Sequence, residues 1–245
     1  MMWTVAFAWL TGAAFGQTAD EIVERARAAN QVDRSIQSVT MTIVSKSGSK
    51  RIRDLELKSR RDAKTTASYI EVKAPADVAG TKLLSLESPN GKEEQIMKLP
   101  SISGVRRISG SNKKGTFLGS DFTYEDLGIR DLADGTHTLA EDEAETWVIE
   151  TKPNNSAQYG KIRAHITKSD LVARKIELFN KDGEMVKVLE VTETTTQGDV
   201  TLPQKTVMRS VKKGRHTVLA VTEQRIEVSD SELPARVFTA EYLER

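Results

Sequence analysis

Apolar residues recur along this chain at different spacings, and each change of spacing marks a change of element. Residues 1–16, MMWTVAFAWLTGAAFG, carry no charged side chain, whereas charge is frequent from Gln17 onward. In the next stretch Ile22, Val23, Ala26 and Ala29 recur at helical spacing, and Thr18 followed by Glu21 forms a capping box. The pattern predicts an amphipathic helix ending near Asn30. Its stripe of small residues with two β-branched ones suits packing on a sheet better than binding a bilayer.

From Ser35 the period falls to two. Val39, Met41 and Ile43 alternate with Thr40 and Thr42, and beyond a Ser47-Gly48-Ser49 turn Leu55 and Leu57 alternate with Asp54, Glu56 and Lys58. Ile70 and Val72 make a third strand. Pro75 to Gly80 interrupts it, as a short helix at the rim of a sheet, before Leu83, Leu84 and Leu86 resume. Pro89-Asn90-Gly91-Lys92 holds the Asn-Gly pair of a tight hairpin, because both central residues must adopt positive φ. The returning strand carries Ile96, Met97 and Leu99.

Beyond Leu127 strand signals resume, at Thr136 to Leu139, Trp147 and Ile149, Ile162 to Ile166, and Val172 to Leu178. Turns at Lys181-Asp182-Gly183 and Lys213-Gly214 frame strands over Met185 to Val191 and Lys205 to Val211. The last strand, His216 to about Val228, is expected to be the longest. Apolar residues on both parities of 185–191 and 218–221 predict two covered faces, the outer one under a terminal helix. Phe238, Tyr242 and Leu243 after Pro234 have the spacing of a closing helix.

Between these halves the regular pattern stops. Ser109 to Gly115 has no apolar residue and is expected as a mobile loop. Thr116 to Leu127, TFLGSDFTYEDL, then places Phe117, Phe122 and Tyr124 within eight residues, a third of the nine large rings found after position 16. Such rings serve equally to anchor a loop to a core or to gate an apolar cavity, while Ser120, Asp121 and Asp126 suit turn and cap bonds. Asp121 and Asp126 lack the alternation of acids and the fixed glycine of a calcium loop.

Composition narrows the function. The chain has 245 residues and no cysteine, which removes disulfides, thiol catalysis and thiolate metal sites. Lys and Arg total 36 against 35 for Asp and Glu, so no global field attracts nucleic acid or an anionic membrane. His137, His165 and His216 stand apart in separate strands, and no nucleophile elbow or phosphate loop occurs. An enzyme, a metal site and a cofactor are all unsupported. Arg106, Arg107, Lys113 and Lys114 form a local basic patch, suited to an anionic headgroup, a partner, or simple solvation.

Residues 1–16 read as an export signal. Trp3 to Leu10 falls short of the ~20 residues needed to span a bilayer, and Ala14-x-Gly16 supplies small residues for cleavage, with a second option as late as position 19. No Lys or Arg precedes the apolar run. Residues 17–245 hold no linker and read as one domain without a membrane span.

The stretch FLGSDFTYEDL, preceded by Leu99-Pro100 and by Val105-Arg106-Arg107-Ile108, resembles the signature of the LolA-like outer-membrane lipoprotein-sorting family. The strand Glu93 to Lys98 departs from the family, which commonly holds Trp and Tyr there. The resemblance implies a mainly β fold, a half-open antiparallel barrel of about 11 strands with the amino-terminal helix and short helices covering it. It implies a periplasmic carrier or chaperone that holds a lipid or the acyl chains of a lipoprotein on the way to the outer membrane. An inner-membrane exporter of the resistance-nodulation-division type is the partner it suggests. Met97, Leu99, Phe117, Leu118, Phe122, Tyr124, Leu127 and Trp147 are the candidates to line or gate the cavity, and Arg106 and Arg107 to meet a headgroup or partner. Two alternatives stand beside this one, an envelope-stress sensor of the same fold and a structural envelope protein with a filled core.

Overall fold

The computed structural model describes residues 17–63, 65–88, 92–128 and 134–245. The expected signal at 1–16 and the Asn90-Gly91 turn lie outside the described residues.

Helix α1 (Ala19–Ala29) begins at the expected capping box: Glu21 N–H donates to Thr18 Oγ1 at 3.3 Å, and Thr18 N–H donates to Glu21 Oε2 at 2.9 Å. Ile22 and Val23 are buried. They pack with Trp147, Ile149, Ala164 and Ile166, so the small-residue stripe lies on a sheet as its composition suggests.

The sheet has thirteen antiparallel strands among the described residues, two more than expected. In chain order they are β1 (Arg34–Val44), β2 (Lys50–Arg61), β3 (Thr66–Ala74), β4 (Lys82–Glu87), β5 (Glu93–Lys98), β6 (Arg106–Ile108), β7 (Gly135–Asp142), β8 (Thr146–Pro153), β9 (Tyr159–Thr167), β10 (Ala173–Asn180), β11 (Met185–Gln197), β12 (Val200–Ser210) and β13 (Arg215–Ile226). The spatial order runs from β6 back to β1, then from β13 back to β7. Every pairing is therefore between sequence neighbours except β1 with β13, which joins the two ends of the chain. The edges β6 and β7 do not pair with each other, so the barrel stays open.

Four local expectations are corrected. Residues 75–80 form hydrogen-bonded turns rather than a rim helix: Ala79 N–H donates to Pro75 O at 2.9 Å, and Gly80 N–H to Val72 O at 2.8 Å. Six residues beside a proline are too few to repay helix nucleation. Ser109–Gly115, expected as a mobile loop, winds into a 3₁₀ turn over Gly110–Lys114. The β11–β12 hairpin runs well past its apolar stretches, through Thr192–Gln197 and Val200–Pro203, and β11 with 13 residues exceeds β13 with 12. Threonine favours the extended backbone even where no core reports a period.

The fourth correction concerns which faces are covered. The inward parity of β13, with Thr217, Leu219 and Val221, faces the core, whereas the outward one, with Val218 and Ala220, lies under no helix among the described residues. Long pairs such as Arg209–Glu190 at 3.0 Å and Lys205–Glu193 at 2.9 Å shield that outer surface instead. The closing segment, a 3₁₀ turn at Ala235–Phe238 and a short helix α2 (Ala240–Leu243), covers the opposite end. There Leu233, Phe238 and Leu243 bury against Tyr69, Leu84 and Ile96 on the outer face of β3–β5. Each such side chain contributes roughly 1.5–3 kcal/mol.

Candidate functional site

The central run crosses from β6 at one sheet edge toward β7 at the other, and its backbone folds back on itself. Leu118 and Gly119 both take positive φ, 51° and 70°. This reversal places Phe117 N–H on Phe122 O at 2.9 Å and pairs Thr116 with Thr123 as an isolated bridge. A leucine at positive φ costs on the order of 1–3 kcal/mol, and is held there by packing of its side chain against the inner core.

Three carboxylates rivet the segment to the sheet. Asp121, 2 % exposed, accepts from Arg215 Nε at 2.7 Å and from Thr217 Oγ1 at 2.9 Å on β13. Glu125, 3 % exposed, accepts from Ser156 Oγ at 2.6 Å, Ala157 N–H at 3.0 Å and Gln158 Nε2 at 3.0 Å, just before β9. Asp126 caps its own turn through Thr123 N–H at 2.7 Å and also accepts from Tyr159 Oη at 2.7 Å and Lys187 Nζ at 2.5 Å. On the opposite side Gln95 Nε2 donates to Tyr124 O at 2.8 Å. Gln95 stands on β5, buried, and its polar side chain is used for this hold. Among the described residues no group of three His, Asp or Glu is placed to bind a metal ion.

Beneath the segment lies a cavity of about 510 Å³, within the ~300–1,000 Å³ of ordinary ligand sites. Val23 and Ala26 of α1 form one wall, and Phe122 and Leu127 of the central run another. The sheet supplies Ile149, Ala164, Ile166, Ile176, Leu189, Val191 and Leu219 from β8 to β13. Antiparallel pairing puts these residues on one face: Leu189 opposes Met208, which opposes Thr217, and Ile176 opposes both Leu189 and Ala164.

The sequence-derived candidates thus separate into groups. Phe122 and Leu127 line the cavity. Phe117, 1 % exposed, and Leu118 pack with Met41, Ile43 and Leu83 in the neighbouring part of the core. Tyr124 stacks edge-on against Phe117 with centroids 6.2 Å apart and donates its hydroxyl to Met97 Sδ at 3.3 Å. Burial raises the Tyr124 phenol above its ordinary value. Trp147 sits under α1, with Arg25 and Lys168 over its ring. Leu99 follows β5, where its carbonyl accepts from Ile102 N–H at 3.2 Å, away from the cavity wall. Arg106 and Arg107 are exposed on the edge strand β6, and Arg107 pairs with Glu94. Sequence reasoning missed the walls from α1 and β10–β13 and the anchoring Arg215, Thr217 and Lys187. Each of the three left the same faint trace, a polar residue at an inward parity: Lys187 shares the parity of Leu189, and Arg215 and Thr217 share that of Leu219.

Known proteins match this architecture. A family model described as an uncharacterized protein matches residues 64–245. The crystal structure of a domain from Vibrio parahaemolyticus, assigned to outer-membrane lipoprotein sorting, is 25 % identical. It superposes with a TM-score of 0.86, over 93 % of this chain and 98 % of that one. A LolA superfamily protein from Nitrosomonas europaea, 19 % identical, superposes at 0.74 over 93 % of this chain and all of its own. This chain belongs to the family of that model, and its fold is the LolA-like one. A DUF1329 family protein from Desulfovibrio piger, 23 % identical, has the same LolA-like fold at a TM-score of 0.83, over 92 % of this chain and 97 % of that one. No curated protein matches the sequence. Among the described residues no helix of this LolA-like chain is long and apolar enough to cross a membrane.

Proposed function

We propose that this protein is a periplasmic carrier that holds the acyl chain of a lipid or lipoprotein between its sheet, α1 and the central segment. The observation that carries this reading is the apolar cavity itself, a space of about 510 Å³ walled by aliphatic side chains from α1 and β8 to β13. A barrel that leaves such a space unfilled holds one small apolar ligand, which weighs against the alternative of a filled structural core. Likeness to a domain assigned to outer-membrane lipoprotein sorting and the apolar stretch at 1–16 support export and cargo of this class. No observation on the chain points to an exporter as partner, and the proposal does without one.

Each buried methylene contributes roughly 0.8 kcal/mol, so a chain of about 14 carbons contributes on the order of 11 kcal/mol before ordering costs. A carrier releases its cargo, so opening the cavity offsets part of that gain. The central segment is tied down by Asp121, Glu125 and Asp126, whereas α1 has one buried edge and an exposed opposite face. In this reading α1 is the element that yields, and Phe122 and Leu127 form a fixed wall.

The test is lipid extraction and mass spectrometry on protein purified from a periplasm, with uptake of an apolar fluorophore by the emptied protein. Copurifying acyl lipid and saturable uptake are expected. Protein that carries no lipid and takes up no fluorophore ends the proposal.

A further inference from the structure

The concave face is not uniformly apolar. Where β1, β2, β3 and β13 meet, its inward positions are Ser35, Gln37, Ser59, Ser68 and Gln224, placed on one face by the pairings Ser35–Ser59, Ser59–Ser68 and Gln37–Gln224. These residues line a second chamber of about 350 Å³. It adjoins the apolar cavity at the carboxy-terminal end of α1, where Arg27 and Asn30 line both.

Two features make this chamber chemically specific. Its wall contains Arg27, Lys58, Arg60 and Arg61 and no Asp or Glu. Lys58 and Arg60 are neutralised from outside, by Glu56 at 2.7 Å and by Asp230 at 2.6 Å, and Arg27 meets Glu24 at 3.3 Å. Arg61, partly buried at an inward position opposite Thr66, has no ion-pair partner among the described residues. The second feature is a set of buried polar atoms without hydrogen-bond partners. Gln224 has both Nε2 and Oε1 in this state, and Asn30 has Oδ1. The Asn30 amide nitrogen reaches the carbonyls of Ala26, Asp170 and Leu171 at 3.2, 3.4 and 2.9 Å, which fixes its orientation and leaves the oxygen as the unused acceptor. Burying an amide with nothing to bond costs about 1–3 kcal/mol, so these atoms suit a ligand bearing hydroxyl or amide groups.

We infer that the cargo is an anionic amphiphile, with its chain in the apolar cavity and its phosphate- or carboxylate-bearing, hydroxylated head in the chamber facing Arg61, Gln224 and Asn30. This rests on the carrier reading above and adds the class of headgroup. The guanidinium supplies charge-assisted donors, Gln224 a donor and an acceptor, and Asn30 an acceptor at the junction of head and chain.

The experiment uses the full chain, emptied of lipid, and three probes that share parts. Myristoyl lysophosphatidate has chain, glycerol and phosphate; monomyristoylglycerol lacks the phosphate; glycerol 3-phosphate lacks the chain. Displacement of an apolar fluorophore and native mass spectrometry report binding. Lysophosphatidate is expected to bind about tenfold more tightly than the monoglyceride, the scale of one charge-assisted hydrogen bond. Arg61→Gln is expected to abolish that difference while leaving the monoglyceride unchanged. Gln224→Glu, which adds a like charge to the chamber, reverses the preference by an independent route should Arg61→Gln fail to fold. Equal affinity of the wild-type protein for the two chain-bearing probes overturns the headgroup inference and leaves the carrier reading standing. Glycerol 3-phosphate binding as tightly as lysophosphatidate overturns it in favour of a free-anion site. Binding of neither chain-bearing probe overturns both.

Discussion

Asp121 and Thr217 bond to each other in both directions: Asp121 N–H donates to Thr217 Oγ1 at 2.9 Å, and that hydroxyl donates to Asp121 Oδ2 at 2.9 Å. Ninety-six residues apart in sequence, they join the irregular centre of the chain to its last strand, and both are buried. Arg215 completes the set by neutralising the carboxylate. Asp121→Ala leaves a partly buried guanidinium and a buried hydroxyl without their acceptor, and is expected to cost about 3 kcal/mol. Thr217→Val is expected to cost about 1–3 kcal/mol. Urea denaturation measures both, and a loss below 0.5 kcal/mol for Asp121→Ala, about the level of an ordinary surface substitution, contradicts the anchoring role.

Phe122 is 4 % exposed and packs with Tyr159, Ile162, Leu178 and Met208. Phe122→Ala is expected to lower stability by roughly 3–5 kcal/mol through the lost burial and the space left behind. The folded fraction is expected to keep its uptake of an apolar fluorophore, because a wall has been thinned and no gate removed. A variant of unchanged stability that no longer takes up the probe would reassign Phe122 as a gate.

Ala173 lines the cavity from β10 and opposes Ile166 on β9. A phenylalanine there projects into open space, so Ala173→Phe is expected to block uptake at a stability cost of no more than ~1–3 kcal/mol. Uptake at the wild-type level, with the fold retained, places the ligand elsewhere.

Ile22 is fully buried in the contact between α1 and the sheet. Ile22→Asp puts an unpaired charge among apolar neighbours, which detaches α1 at less cost than unfolding the sheet. Trp147, beneath that helix, is the single tryptophan of residues 17–245, so its emission reports the event. A red shift with an unchanged β-sheet circular-dichroism signal is expected. An unshifted spectrum means that α1 stays in place.

Burial raises the Tyr124 phenol above its ordinary value of 10. The unfolded chain therefore releases this proton at a lower pH than the folded one. The group's contribution to stability is complete below about pH 10 and is lost as pH rises through the folded value. Tyr124→Phe has no proton to lose, so wild type and variant should differ increasingly in stability from pH 9 to pH 11, with the wild type falling faster, around the ordinary tyrosine value of about 10. Chemical denaturation across that range checks it, and parallel curves contradict it. Tyr69, also raised by burial, is common to both proteins and cancels.

What the chain's own pattern determined is the set of local elements. A capping box and a 3.6-residue period define α1, and strands whose inner face is buried alternate visibly, as Val39, Met41 and Ile43 do. The Lys181–Gly183 and Lys213–Gly214 turns likewise locate their hairpins, since positive φ and tight reversal are properties of a few residues. Where a strand runs past the core, as in Thr192–Gln197, the period vanishes and the element went unseen. Tertiary structure alone decided what the elements enclose. Pairing of β1 with β13 closes the curve that makes one face concave, and only that curve gathers Val23, Phe122, Ile176 and Leu219, spread over some two hundred residues, around one space. The same holds for the anchored state of the central run. Its three rings read alike as anchor or gate, and the distinction lies in partners such as Arg215, Thr217 and Lys187, whose positions beside it depend on contacts distant in sequence.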